Sequence, residues 1–196
     1  SPEEIKQREL DEKLVALRSS NIPGFFPTPD NIIDEMIAHA KLDNYMSVLE
    51  PSCGIGSIAD KVRNEYPEIA LVMVEQHYSL AEICELKGYN VLNDDIFAIN
   101  FNVRFDRILM NPPFENKQDI KHVLHCYNTF LEEGGILVSV MSAGVMNNTD
   151  KLSEDFREFV DAHGYFIEMG QQFNKSNAFR NTGVNTVLVI IEKYII

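Results

Sequence analysis

Residues 47–56 of this chain are Ser-Val-Leu-Glu-Pro-Ser-Cys-Gly-Ile-Gly. The apolar run at the start predicts a buried β-strand, and the two glycines predict a tight turn into a helix. A Gly-x-Gly pair alone also fits an ordinary strand–helix turn, and Ala59 stands where a dinucleotide-binding fingerprint would place its third glycine. The neighbouring Glu50 would repel a pyrophosphate. The stretch therefore favours a ligand that carries a cationic group.

Strands and helices alternate outward from this stretch. Apolar runs predict strands at 47–49, 70–74, 89–92, 107–110, 135–141, 165–169 and 186–192. Helical spacing predicts helices at 3–19, at 78–87, at 117–131 and at 151–162, with two more ending near His39 and following Gly56. The alternation predicts an α/β fold with a mostly parallel sheet, and the continuous apolar strands indicate that helices cover both of its faces.

Polar side chains stand where four of these strands end: Glu50, Glu75, Asp95 and Asn111. The carboxyl ends of parallel strands meet at one edge of a sheet, and open α/β sheets bind their ligands there. We therefore expect the four residues to form one site. Glu75 lies about 20 residues beyond the glycines, where a carboxylate can accept both hydroxyls of a ribose.

The tetrad Asn111-Pro112-Pro113-Phe114 is the most specific feature of the chain. The two prolines hold the backbone extended and fix the direction of the Asn111 side chain and of the Pro112 carbonyl. Two acceptors aimed at one point suit an exocyclic NH2 group, which has two N–H donors, and Phe114 offers an aromatic face for a planar ring. A rigid loop that caps the sheet is the alternative explanation.

The order of the motifs resembles the S-adenosylmethionine-dependent N6-adenine methyltransferases of the DNA-modifying amino-methyltransferase class. The resemblance runs from residue 25 to residue 192 and rests on Phe-Phe-Pro-Thr-Pro at 25–29, Glu-Pro-x-x-Gly-x-Gly at 50–56, Glu75, Asp-Asp-Ile-Phe at 94–97, Asn-Pro-Pro-Phe at 111–114 and the segment 178–186. The tetrad alone also occurs in RNA and protein-glutamine methyltransferases, whereas the combination is more specific. It implies a Rossmann-like class I methyltransferase fold with a mostly parallel seven-stranded sheet.

The resemblance also implies roles for particular residues. The catalytic set would be Asn111, Pro112, Pro113 and Phe114, with Phe114 and Phe179 stacking on the target adenine. Within the cofactor site, Glu75 would bind the ribose, and Asp95, with Asp94 as its rival, would bind the adenine amino group. The full cofactor-binding set would be Phe26, Thr28, Pro29, Glu50, Pro51, Cys53, Gly54, Gly56, Glu75, Gln76, Asp95, Ile96 and Asn111.

Composition limits the possible partners. The chain has 196 residues, is 45% hydrophobic and contains no apolar run near the roughly 20 residues of a membrane span, which argues against disorder and against a membrane protein. Its 17 basic and 30 acidic residues give a net charge of −13, and residues 1–99 hold 18 of the acids but only 8 of the bases. We expect DNA as the partner, with RNA as an alternative. The acidity predicts weak binding by this chain alone and a specificity domain or subunit outside it.

The remaining expectations concern organisation and compartment. Residues 1–24 are expected to form a helix and linker, and residues 25–196 the methyltransferase domain, without a separate target-recognition domain. Three cysteines with no metal-site spacing indicate reduced thiols and a cytoplasmic protein. A nucleophilic role for Cys53 is weighed but not favoured, and His122 and His125 are expected to be partly exposed residues of a helix rather than ligands of a metal.

Overall fold

The computed structural model describes residues 1–170 and 185–196 of the chain. Its helices are α1 (Pro2–Ser19), α2 (Asp30–Ala40), α3 (Ser57–Glu65), α4 (Tyr78–Leu86), α5 (Gln118–Phe130) and α6 (Lys151–His163). Its strands are β1 (Ser47–Glu50), β2 (Ala70–Val74), β3 (Val91–Leu92), β4 (Phe105–Met110), β5 (Leu131–Ser142), β6 (Gly164–Gly170) and β7 (Thr186–Glu192). Two short 3-10 helices, Glu115–Lys117 and Ala143–Met146, follow β4 and β5.

The strands form one seven-stranded sheet in the order β3-β2-β1-β4-β5-β7-β6. The first five strands in this order are parallel, and β7 runs antiparallel to both β5 and β6. The predicted α/β fold with a mostly parallel sheet is confirmed. Because β1 and β4 are neighbours while β2 lies on the far side of β1, the chain reverses its direction of winding at the end of β1, where open α/β sheets bind ligands.

Two apolar layers, one on each face of the sheet, form most of the core. Successive side chains of a strand point to opposite faces, so Val48 of β1 joins the layer beneath α2 and α3, while Leu49 joins the layer beneath α5 and α6. Leu109 and Ile108 of β4 divide in the same way. This explains why the strands are continuous apolar runs rather than alternating ones.

Helix α1 packs on α4 through the residues that its sequence spacing predicted. Leu10, Leu14 and Leu17 lie against Leu80 and Ile83. An ion pair between Lys13 Nζ and Glu82 Oε2, at 3.1 Å, lies beside this contact. The helix begins with a capping box in which the Ser1 side chain accepts a hydrogen bond from the Glu4 backbone.

The largest difference from the predicted boundaries lies in β5. It begins at Leu131, directly after α5, rather than near residue 135. Leu131 pairs with Phe105, and the register then shifts before Ile136 pairs with Arg107. Gly134 adopts a φ of +78° inside this irregular stretch, which is a conformation that glycine accommodates without strain. The Gly-Gly pair therefore marks an irregularity within the strand and not its start.

No helix in the described part of the chain is long and apolar enough to cross a membrane.

Candidate active site

A cleft with a cavity volume of about 220 Å³ opens where β1, β2 and β4 end. The four polar residues at the predicted strand ends, Glu50, Glu75, Asp95 and Asn111, all line it. The structure therefore brings these four residues together in one cleft. Most of the other predicted cofactor residues line the cleft as well: Phe26, Thr28, Pro51, Cys53, Gly54, Gln76 and Ile96.

The glycine turn forms one wall of the cleft. Gly54 and Gly56 have φ values of +57° and +81°, so both need the left-handed conformation. A Cβ on Gly54 would lie 2.9 Å from the ring of Phe25, and one on Gly56 would lie 3.3 Å from Cys84 Sγ. The first glycine therefore allows residue 25 to close over the turn. The second allows the turn to pack on α4, away from the cavity.

Glu75 ties this turn to the end of β2. Its Oε2 accepts a hydrogen bond from the Gly54 backbone N–H at 2.8 Å, and its Oε1 accepts one from the His77 N–H at 2.9 Å. The residue is only 6% exposed. Each carboxylate oxygen can accept more than one hydrogen bond, so both oxygens keep capacity for a ligand.

Glu50 is a buried carboxylate without a full set of partners. It is 1% exposed, and no described residue donates a hydrogen bond to its Oε2. Burial, together with nearby Cys84, Asp60 and Glu75, raises the pKa of Glu50 well above its usual value. A cationic group entering the cleft would compensate this carboxylate. The arrangement fits S-adenosylmethionine, which carries an ammonium and a sulfonium.

Asn111 follows β4 directly, and both hydrogens of its side-chain amide are used within the protein. Nδ2 donates to the Phe26 carbonyl and to Thr28 Oγ1, each at 3.0 Å. Within residues 1–170 and 185–196, nothing donates to its Oδ1. The amide thus keeps a free acceptor in a residue that lines the cleft.

The other three residues of the tetrad divide between the lining of the cleft and the packed core. Pro113 lines the cleft, whereas Pro112 is buried and does not belong to the lining. Phe114 is half-buried and packs with Phe26 on the apolar layer beneath α2. Four predicted site residues lie outside the lining of the cavity: Pro29, Gly56, Pro112 and Phe114. Phe179 lies outside the described residues.

Asp94, Asp95 and Ile96 all line the cleft, so the lining does not separate the two candidate aspartates. Their carboxylates shape the loop in different ways. Asp94 Oδ1 accepts from the Asp95 N–H at 2.7 Å, and Asp95 Oδ1 accepts from the Phe97 N–H at 3.0 Å.

The expectation that His122 is a partly exposed helix residue is wrong. The side chain is 9% exposed and lines the cleft near Asp95, with its ring edge-to-face against Phe97 at 4.8 Å between centroids. Burial lowers the pKa of His122 to about 4, so the imidazole is neutral. Gln118, one turn earlier in α5, lines the cleft too. The spacing of four residues just after the tetrad was the signal available in the sequence.

The cysteines do not form a reactive centre. Cys53 and Cys84 are both buried, with their sulfur atoms 3.9 Å apart, and all three cysteines are free thiols. The neighbouring Cys84 thiol and burial raise the pKa of Cys53 far above its usual value, which opposes the thiolate that a nucleophile needs. Among the described residues, no group of three or more His, Cys, Asp or Glu side chains is placed to hold a metal ion.

Several curated proteins are similar to this chain, and two of them illustrate the range. One viral relative, Type II methyltransferase M.CvrRI of Paramecium bursaria Chlorella virus XZ-6E, is 27% identical over 214 residues, which cover 97% of this chain and 53% of that protein. The Ribosomal RNA small subunit methyltransferase C of Pasteurella multocida is 30% identical over 115 residues, covering 55% of this chain and 35% of that protein. The chain therefore spans about half the length of the viral relative, and the match to the second protein spans about a third of that protein.

The fold is also found among solved structures. The type I restriction-modification system methyltransferase subunit from Streptococcus thermophilus superposes with a TM-score of 0.73 at 20% identity, over 88% of this chain and 46% of that one. A likeness at 20% identity shows the fold alone, and this fold is the predicted Rossmann-like class I architecture. The sequence profile of the Methyltransferase small domain family matches residues 30–167, more than half of the chain. S-adenosylmethionine is the cofactor of this methyltransferase family. The chain belongs to the Methyltransferase small domain family.

Proposed function

We propose that the chain transfers a methyl group from S-adenosylmethionine to the exocyclic N6 amino group of adenine in DNA. The observation that carries this proposal is the orientation of Asn111. Both of its amide hydrogens are bound by Phe26 and Thr28, which leaves Oδ1 as an acceptor for an incoming N–H. The similarity to a viral type II methyltransferase supports DNA modification as the setting.

An amino group on adenine is a poor nucleophile because its lone pair is delocalised into the ring. Asn111 Oδ1 and the Pro112 carbonyl would accept its two hydrogens. That returns electron density to the nitrogen and stabilises the positive charge that grows there as the methyl group is attacked. Within the described residues, no group donates to the Pro112 carbonyl, so it is available for this task.

When bound, S-adenosylmethionine supplies a methyl group that its sulfonium already activates. The protein's part is to hold and align it. Glu50 would compensate the positive charge of the methionine part, Glu75 would accept the ribose hydroxyls, and Asp95 would accept the adenine amino group. The segment from Pro23 to Thr28, which lines one side of the cleft, would separate the cofactor from solvent.

The target adenine must leave the duplex before its amino group can reach Asn111. We assign Phe114 to stacking on the extruded ring, together with Phe179. Phe114 is half-buried and anchored with Phe26 on the core beneath α2. Because this packing already restricts the Phe114 side chain, little further conformational entropy is lost when the ring stacks on a base.

DNA binding is proposed to need a further domain or subunit. The net charge is −13, and the described cations near the tetrad are largely paired: Lys117 with Asp150 at 2.8 Å and Lys151 with Asp155 at 2.9 Å. Among the described residues of this rim, few free cations remain to neutralise phosphates. On the division we propose, residues 25–196 catalyse the reaction and sequence recognition lies elsewhere. The Streptococcus thermophilus neighbour is itself one subunit of a restriction-modification system.

RNA adenine is the second candidate substrate, because the Pasteurella multocida relative is a ribosomal RNA methyltransferase. A protein glutamine amide offers the same NH2 geometry, and an inactive cofactor-binding subunit is the non-enzymatic alternative. The experiment is to incubate the protein with S-adenosylmethionine labelled in its methyl group and, separately, DNA, RNA and protein acceptors. Digestion and mass spectrometry then identify the methylated product.

We expect labelled N6-methyl-2′-deoxyadenosine from the digested DNA acceptor. Asn111→Ala should lower the yield by at least 100-fold while S-adenosylmethionine still binds, because the variant loses an acceptor and not the cleft. Asn128→Ala, on the exposed part of α5, is the matched control and should methylate normally. Label that appears only in RNA or in glutamine would replace the DNA proposal, and no label in any acceptor would favour the inactive subunit.

A further inference from the structure

The segment that closes the cleft is joined to the catalytic tetrad at three points. We call residues 24–28 the strap. Gly24 lies so close to the tetrad that a Cβ there would be 2.8 Å from Pro113 Cβ. The Phe26 carbonyl and Thr28 Oγ1 both accept hydrogen bonds from Asn111 Nδ2. The strap therefore contacts the side of the tetrad that faces the cofactor cleft, more than 80 residues away in the chain.

These contacts decide which end of the Asn111 amide faces the substrate. An amide has a donor end and an acceptor end of nearly the same shape. The Phe26 carbonyl can only accept, so it would repel the amide oxygen if the group were turned over. Thr28 Oγ1 takes the second hydrogen of Nδ2. With both hydrogens engaged, the oxygen is the only end left for an incoming group.

Polarity matters because an amino group approaches as a donor. The oxygen of Asn111 attracts it, whereas a turned amide would present N–H to N–H and repel it. A clamped amide also needs no reorganisation when charge develops in the transition state. Such a clamp would act on the rate of methyl transfer.

We propose that Thr28 is a positioning residue, which fixes the Asn111 side chain with its oxygen toward the substrate amine. This goes beyond the cofactor contact implied by the family resemblance, and it rests on the proposed function only in assigning the amine to the substrate. Thr28 is buried between Pro27 and Pro29, so its own backbone is restrained. Among the described residues, none accepts the hydrogen of its hydroxyl, so a ligand in the cleft could accept it. The hydroxyl can therefore contact the cofactor and Asn111 together.

The test compares Thr28→Val with Thr28→Ser. Valine keeps the shape of threonine and loses the acceptor, whereas serine keeps the acceptor and loses a methyl group. We expect the single-turnover rate at saturating S-adenosylmethionine to fall 10- to 100-fold in Thr28→Val, whatever happens to cofactor affinity. Thr28→Ser should restore it to within about threefold of the wild type. Melting temperatures of both variants are measured alongside.

Three results would overturn the proposal. One is a saturated rate in Thr28→Val equal to that of the wild type, with only the cofactor Kd raised, because Thr28 would then serve the cofactor alone. Another is a larger loss in Thr28→Ser than in Thr28→Val, since the methyl group and its packing would then matter. The third is an equal loss in both variants.

A second measurement does not depend on the substrate. Side-chain NH2 signals of asparagine are recorded by NMR on 15N-labelled protein, and Asn111 is assigned by the signal lost in Asn111→Ala. We expect solvent exchange of at least one Asn111 amide proton to be ten times faster in Thr28→Val than in the wild type. Unchanged exchange would refute the clamp. If the wild type methylates no DNA, the proposed function fails, while the exchange result still decides the role of Thr28.

Discussion

The Gly54 backbone N–H donates to Glu75 Oε2 at 2.8 Å, which joins the glycine turn after β1 to the end of β2. The other oxygen of Glu75 accepts from the His77 N–H, at the start of α4. One carboxylate thus fixes two loops that line the cleft. A residue expected only to contact a ligand also builds the wall against which that ligand would lie.

Replacing Glu75 with glutamine should therefore weaken both the loops and the site. The amide keeps one acceptor, but its NH2 end would face a backbone N–H, and one hydrogen bond to a charged group is lost. We expect a loss of about 1.5–3 kcal/mol in the free energy of unfolding, measured with urea, and at least a tenfold rise in the Kd for S-adenosylmethionine, measured by calorimetry.

Glu85→Gln is the matched control for that variant, because Glu85 is an exposed residue of α4 away from the cavity. It should leave both quantities unchanged. Normal cofactor affinity in Glu75→Gln would mean that Glu75 neither binds the ribose nor shapes the glycine turn.

Glu50 should lower the stability of the ligand-free protein at neutral pH. Its pKa is raised in the folded state by burial, so the folded protein holds this proton more tightly than the unfolded chain. The stabilisation from the neutral carboxyl is complete below the usual value of 4.5 and is lost as the pH rises through the folded pKa. Glu50→Gln should therefore make the ligand-free protein more stable above pH 7 and flatten its pH dependence, as followed by urea unfolding from pH 5 to 8.

The same variant should bind S-adenosylmethionine more weakly, since it lacks the charge that compensates the cationic ligand. At a pH below the folded pKa of Glu50, wild-type protein should release a proton on binding, which calorimetry detects as a heat that depends on the ionisation enthalpy of the buffer. Equal heats in all buffers, or tighter binding by Glu50→Gln, would contradict a role for Glu50 in holding that charge.

The sequence indicated the sheet and the position of the site because both depend on short-range patterns. Apolar runs marked the strands, and Glu50, Glu75 and Asn111 each stood at a strand end, where the parallel arrangement brought them together. The contact between Thr28 and Asn111 spans 83 residues of chain and follows from the packing of the strap, which no local pattern specifies.

His122 was missed for a related reason. The sequence placed it correctly on α5, but a helix position becomes buried or exposed according to what packs against it. Here the loop that carries Asp95 and Phe97 closes over that face of α5. The periodicity of the helix alone could not show that a loop from another part of the chain would cover it.

His122 should make the protein less stable in mild acid. Burial lowers its folded pKa to about 4, below the usual 6.5, so the unfolded chain binds the proton first as the pH falls. Stability is then lost between about pH 6.5 and pH 4, and by pH 5 the loss would be about 2 kcal/mol. His122→Phe keeps an aromatic ring against Phe97 and should remove this slope in urea unfolding between pH 7 and pH 5. An identical slope in both proteins would show that His122 does not titrate in this way.

Gly24 should tolerate no side chain, because a side chain there would collide with the tetrad. Gly88 serves as the control that separates this collision from backbone strain. Both glycines have left-handed backbones, with φ values of +72° and +94°, but a Cβ on Gly24 would lie 2.8 Å from Pro113 Cβ while one on Gly88 would meet nothing within 4 Å. Gly88→Ala therefore measures the backbone strain alone, about 1–2 kcal/mol.

Gly24→Ala adds a collision with the tetrad to that strain. We expect it to lose more stability than Gly88→Ala and, in addition, to slow methyl transfer at least tenfold at saturating cofactor, because displacing Pro113 moves Asn111 and the Pro112 carbonyl away from the alignment that the reaction needs. Gly88→Ala should methylate at the wild-type rate at temperatures where it is folded. If the two variants lost equal activity, the effect would come from backbone strain, and the contact between the strap and the tetrad would have no part in catalysis.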